Sequence, residues 1–129
     1  MELRTHLGID ASLVGTPEIL GEGRARAVLR TAAAMAADDR GLVHGGFVFG
    51  LVDLAAMAAV NDPNVVLGAA DVQFVAPVRV GDEVVAEATV REAQGRKRQV
   101  AVTARVGETT VVTGTLLAFV LDRHVLDGR

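Results

Sequence analysis

From Leu42 to Val60 the chain runs without a charged residue except Asp53, and with His44 as its one other titratable group. The segment holds no proline, is rich in alanine and leucine, and stops at "NDPN" (61–64), where Pro63 and the Asn/Asp cluster end a helix. This spacing predicts a helix over about 45–60 that is apolar nearly all round. Such a helix has no face to offer to water and must be covered on every side, which one flat sheet cannot do. The chain must therefore wrap a curved sheet around it, with a second molecule completing the cover.

The run also has the length of a membrane span, with Gly46 and Gly50 at GxxxG spacing. A span would put Asp53 near mid-bilayer at a cost of about 2.5–3.5 kcal/mol. The segments downstream alternate as soluble strands do, so a membrane is not expected as a partner.

On either side of the helix the period changes to two. Two strands are expected between Ser12 and Thr31 around "GEG" (21–23), with Ala25, Ala27 and Leu29 on one face and Arg24, Arg26, Val28 and Arg30 on the other. The alanine-rich "TAAAMAADDRG" (31–41) reads as a connector with one helical turn. After the helix, 65–74 reads as a strand. Val84, Ala86, Ala88 and Val90 then alternate with polar residues, as do Val100, Val102, Ala104 and Val106 beyond the turn at "QGRK". The stretch 109–121 is apolar on both faces, as suits a strand inside a sheet. "VGD" (80–82) and "VGE" (106–108) supply further turns. The expectation is a single α+β domain over 1–129: a curved antiparallel sheet around one long central helix.

A formal charge of −3 gives no basic footprint for nucleic acid. With no cysteine there is neither a disulfide nor a thiolate metal site, and no metal is expected. The first residues carry no secretion signal, which makes the cytoplasm the expected location.

Gly46, Gly50, Asp53 and Met57 follow one another at spacings of four, three and four, and so share a stripe of the helix. Each glycine costs about 0.5–1 kcal/mol relative to alanine inside a helix. The pair therefore implies a close approach to this backbone by a partner chain or a ligand. His44, Gly45 and Gly46 open the helix, where free N–H groups and the positive end of the dipole favour a developing negative charge. Asp53 lies nine residues after His44, about 13 Å along the axis, so the two cannot serve one carbonyl within a chain. A two-fold dimer with antiparallel helices would bring Asp53 of one subunit to the His44–Gly46 terminus of the other.

"VHGGFVFGLVD" (43–53) and "VQFVAPVRVGDEV" (72–84) resemble the hotdog-fold acyl-CoA thioesterases of the phenylacetate-pathway (PaaI) type, and the similarity runs from about residue 12 to 121. The resemblance implies the hotdog fold, a homodimer with a continuous sheet that pairs into a homotetramer, and hydrolysis of a coenzyme A thioester with no cofactor beyond the substrate's own CoA. It also implies that the Gly46 N–H, with Gly45, polarises the carbonyl while Asp53 acts as general base or nucleophile. Many relatives carry an asparagine six residues before the histidine and a hydroxyl residue on the next strand. This chain has Asp38 and Ala69 there, which leaves Asp38 or Asn61 to orient a water.

Other residues have two readings. His44 either takes part in the chemistry or holds the helix start by bonding to backbone. Phe47 and Met57 are core residues that would also line an acyl pocket. Arg96, Lys97 and Arg98 either grip the CoA phosphates or form a solvated turn. His6 and His124 are expected at the surface. Two further functions are compatible with the fold: a non-catalytic acyl-CoA binding or sensing module, and an enoyl-CoA hydratase or dehydratase.

Overall fold

The computed structural model describes residues 1–129. The elements run α1 (Ala11–Val14), β1 (Thr16–Gly21), β2 (Arg24–Arg30), a 3-10 turn (Ala33–Met35), α2 (Gly45–Val60), β3 (Val65–Phe74), β4 (Glu83–Gln94), β5 (Lys97–Val106) and β6 (Thr109–Val120). The six strands form one antiparallel sheet in the order β1-β2-β4-β5-β6-β3. This is the hotdog arrangement, with α2 lying in the hollow of the sheet.

The period-two pattern lands on the helix side as expected. Ala25, Ala27 and Leu29 of β2, Val84, Ala86 and Ala88 of β4, Val100, Val102 and Ala104 of β5, and Leu116 and Ala118 of β6 are buried against α2. Small residues at the centre of the sheet let it come close to a helix that buries nine of its own residues, from Val48 to Ala59. Val90, at the bulge of β4, and Val106, at the end of β5, are half-buried.

One boundary differs from expectation. Ser12–Val14 is a helical turn rather than the start of a strand, because the Asp10 side chain accepts from the Ser12 N–H and Gly15, at φ 98°, ends the turn. The Cγ1 of Val14 then sits 3.4 Å from where a Cβ on Gly50 would be. Likewise the His44 ring folds over Gly46, with Cδ2 and Nε2 3.1 Å from the position of a Cβ. The close approaches implied by the two glycines are made within the chain, by α1 and by His44.

The two sheet edges differ. β1 is six residues long with Pro17 and Glu18, features that block pairing. β3 is ten residues long, contains no proline and a single charge, Asp71, and lies largely exposed.

Candidate functional site

At the start of α2, the Gly45 and Gly46 N–H groups donate to nothing in the chain, while the Phe47 N–H already bonds to the His44 carbonyl. Both glycines are exposed. His44 is the N-cap residue but makes no side-chain cap bond; its ring packs on Gly46 and edge-on against Phe47, with centroids 6.1 Å apart at 77°. The main chain of His44 is held by its N–H donating to the Met35 carbonyl at 2.9 Å, while the ring is placed by packing alone.

Gly45 opens into an apolar cleft of about 320 Å³ lined by Val43, Val48, Phe74, Val75, Val111 and Val112, among others. Phe74 and Val75 are more than half exposed at its rim. Phe47 and Met57, the sequence candidates for an acyl pocket, do not line it. Met57 is buried in the core and Phe47 packs against that core from its edge.

Asp53 sits mid-helix, half-buried, with Oδ1 out of contact with solvent and without a hydrogen-bond partner. Burial pushes its carboxyl above the usual aspartate range, and the charge on His6 pulls it the other way. His6 was expected at the surface; it is instead half-buried and close enough to act on Asp53, although no ion pair joins them. Asn61, the left-handed residue just past the end of α2, explains how it gets there. Its Oδ1 accepts the Arg4 N–H at 2.7 Å and its Nδ2 donates to the Glu2 carbonyl at 2.8 Å. The amino-terminal strap is thereby tied along α2, and His6, two residues past Arg4, is carried toward Asp53. Thr5, buried beneath, holds His6 Nδ1 through its hydroxyl at 2.8 Å, and the His6 backbone takes φ 55°. The sequence signal for this was slight: a polar Thr-His pair ahead of an apolar fold, with no periodicity linking it to the helix.

The remaining candidates are spread out. Asn61, with both amide atoms committed to the strap, and Asp38 lie beyond opposite ends of α2, a helix about 24 Å long. Asp38 Oδ1 accepts the N–H groups of Arg40 and Leu42, holding its own loop. Ala69 is exposed on β3, opposite Leu117. Arg96, Lys97 and Arg98 form the β4–β5 turn, and Lys97 pairs with Phe119 at the end of the sheet near Val65, away from Phe74 and Gly45. There Arg96 bonds to Asp122 at 2.5 Å and Arg98 to the carbonyls of Gly95 and Lys97. His124 is exposed, accepting from the Leu126 N–H. No three His, Asp or Glu side chains come together in a metal-binding group, and no helix is long and apolar enough to cross a membrane.

Comparisons with known proteins add the family. An uncharacterised protein of Pyrococcus horikoshii has a solved structure that matches with a TM-score of 0.96 and 49% identity over 98% of each chain. A segment of methylthioribose-1-phosphate isomerase of Aquifex aeolicus is 49% identical over 95% of this chain, and a segment of transcription factor FapR of Caldanaerobacter subterraneus is 30% identical over 68% of it. The chain spans 27% and 44% of the length of those two proteins. A hypothetical thioesterase of Streptococcus pneumoniae, solved with coenzyme A, shares the fold at a TM-score of 0.72 and 16% identity, covering 84% of this chain and 88% of its own. The profile of the MaoC-like domain matches residues 28–112, from β2 through α2 and into β6. With its six-stranded antiparallel sheet curled around one buried helix, the chain belongs to the family of MaoC-like, hotdog-fold domains.

Proposed function

We propose that this chain is an acyl-CoA thioesterase whose site forms between two subunits. The observation that carries the reading is the Asp53 carboxylate, held in an apolar helix with a buried, unpaired oxygen, on the same α2 that begins with two free glycine N–H groups at the mouth of an apolar cleft. A carboxylate so placed is costly to the fold and more basic than usual, the property a general base needs.

Gly46 and Asp53 are seven residues apart, about 10 Å along the axis, so one chain cannot present both to one carbonyl. A second copy solves this. The long edge of β3, free of proline and with its bulge confined to Leu67–Ala69, is suited to pair with its own equivalent in a two-fold dimer, continuing the sheet and placing two α2 helices on one side. The Gly45 and Gly46 N–H groups of one subunit then hold the thioester oxygen, a kind of contact worth about 2.7–4 kcal/mol per donor. Asp53 of the other subunit takes a proton from water as the water oxygen adds to the carbonyl carbon. Collapse breaks the C–S bond, and the CoA thiolate receives that proton. A coenzyme A thioester is in keeping with the fold-mate solved with coenzyme A. Homotetramers and the PaaI-like type belong to the same reading.

A second reading has its own observation. The arrival of His6 beside Asp53 supplies the histidine and acid that a hydratase uses to move a proton next to a carbonyl, and the family includes dehydratases in its scope. Likeness to a segment of a transcription factor keeps a sensing module as the third. One experiment separates them: short, medium and aromatic acyl-CoAs and an enoyl-CoA offered to wild type and Asp53→Ala. Thiol release lost in the variant supports the thioesterase. Equal release by both proteins removes Asp53 from the mechanism, hydration alone favours the second reading, and binding without product the third.

A further inference from the structure

Beside the apolar cleft lies a polar one of about 350 Å³, and the two share Leu42, Pro77 and Val78 as a common wall. Together they make one groove, greasy at Gly45 and polar at its outer end. The outer end is built from two loops tied to each other: Leu42 pairs with Arg79, the Val80 N–H donates to the Gly41 carbonyl at 2.8 Å, and the Val43 N–H donates to the Val78 carbonyl at 2.8 Å. Buried Thr31 fastens this platform from below, its hydroxyl bonding to the carbonyls of Arg79 and Asp82.

The charged side chains there divide into two kinds. The carboxylates serve the loops: Asp38 Oδ1 accepts the N–H groups of Arg40 and Leu42 at 3.0 and 3.1 Å, and Asp82 Oδ2 accepts the Arg79 N–H at 2.9 Å. The guanidinium groups of Arg40 and Arg79 bond to nothing and join no ion pair, although both residues line the groove and lie exposed. Elsewhere in the chain Arg26, Arg30, Arg96 and Arg105 each have a carboxylate partner, and Arg4, Arg24, Arg91, Arg123 and Arg129, which have none, lie outside this groove, so it is the shared groove that sets Arg40 and Arg79 apart. Two uncommitted guanidinium forks on a fixed platform, at the end of an apolar channel, fit an elongated ligand with a phosphorylated head and an apolar tail.

From this groove we infer that Arg40 and Arg79 form the phosphate-binding subsite for the nucleotide end of a coenzyme A thioester, with its acyl-bearing arm running past Pro77 and Val78 to Gly45. The inference rests on the proposed function for the identity of the ligand and assigns the phosphate contacts to this end of the sheet rather than to the Arg96–Arg98 turn.

The test is calorimetric titration of the full chain with coenzyme A and, separately, with pantetheine, which lacks the nucleotide and its phosphates. The proteins are wild type, Arg40→Ala/Arg79→Ala, Arg40→Lys/Arg79→Lys and Arg96→Ala, with acyl-CoA turnover measured beside each. The double alanine variant should bind coenzyme A at least tenfold more weakly and pantetheine as wild type does. The lysine pair should recover part of the loss, and Arg96→Ala should change nothing. Undiminished coenzyme A binding by the double alanine variant overturns the subsite while leaving the thioesterase reading standing. Arginine-dependent binding with no turnover of any acyl-CoA does the reverse, and a wild type that does not bind coenzyme A removes both.

Discussion

Replacing Asp53 with asparagine should make the protein more stable and stop its chemistry. A buried polar atom left without a partner costs about 1–3 kcal/mol, and a charged one costs more. Asp53 Oδ1 is such an atom. Asparagine keeps the shape and an unpaired polar group but removes the charge. Because Asp53 is only half-buried, water screens part of that charge, so the expected gain lies at the low end, about 1 kcal/mol. For a chain of this length that is roughly 3–5 °C in Tm. The pH dependence has a definite direction. Burial raises the folded-state pKa of Asp53, so its protonated form is the one the fold tolerates. Stability tied to this group is complete below the unfolded value of about 3.9 and is lost as pH rises through the folded value. The advantage of Asp53→Asn should therefore be absent near pH 3 and full at pH 8. Glu87, held below its ordinary range by the Arg105 hydrogen bond, runs the other way, losing its contribution as pH falls, but it is common to both proteins and cancels. Urea denaturation of both proteins from pH 3 to 8 at one protomer concentration measures the difference. Turnover should fall by about 10²–10⁴-fold, the usual worth of a general base. An asparagine variant no more stable than wild type at pH 8 would refute the reasoning, since it would mean that the carboxylate has found a partner that repays its burial.

Other substitutions separate architecture from chemistry. Asn61→Gly keeps the left-handed residue that closes α2, at φ 54°, but removes both strap bonds; a loss of about 1–3 kcal/mol is expected, with faster amide exchange over residues 2–6. Gly114→Ala puts a methyl 2.7 Å from Val72 Cα, backbone that cannot turn aside, so β3 should be pushed from β6 at a cost of at least about 1–3 kcal/mol, read by thermal denaturation and exchange along β3. Gly46→Ala meets only the edge of the His44 ring, which can rotate away; stability should stay within about 1 kcal/mol of wild type while the displaced ring and crowded N–H groups lower thiol release. Ala70→Lys, in the middle of the exposed β3 edge, should convert the proposed dimer to monomers in sedimentation equilibrium and abolish turnover with it.

What the sequence made legible, and what it hid, follows from the range of the interactions. The period of β2, β4 and β5 is local, and a helix apolar all round leaves few architectures open, so the fold and the span of α2 could be read from neighbouring residues. The stripe Gly46, Gly50, Asp53 and Met57 is also a local fact. What covers that stripe is not. Asn61 reaches Glu2 and Arg4 across nearly sixty residues of chain, Val14 covers Gly50, and no repeat or motif connects those partners in advance. His6 therefore read as a surface residue, and Arg40 and Arg79, nearly forty positions apart, read as unrelated loop residues until pairing of Leu42 with Arg79 brought them to one groove. The same asymmetry governs the chemistry. A helix can announce that it carries a carboxylate in an apolar wall, but whether the carboxylate works as a base depends on which groups the fold brings to it from far away in the chain. Here those are a histidine on a tethered strap and, in the proposed dimer, the free N–H groups of a second copy. Cutting the strap bonds at Asn61 should thus alter the pH profile of turnover as well as stability, because His6 opposes part of the upward push that burial gives Asp53. A profile unchanged in Asn61→Gly, with the strap shown to be released by amide exchange, would leave His6 outside the chemistry.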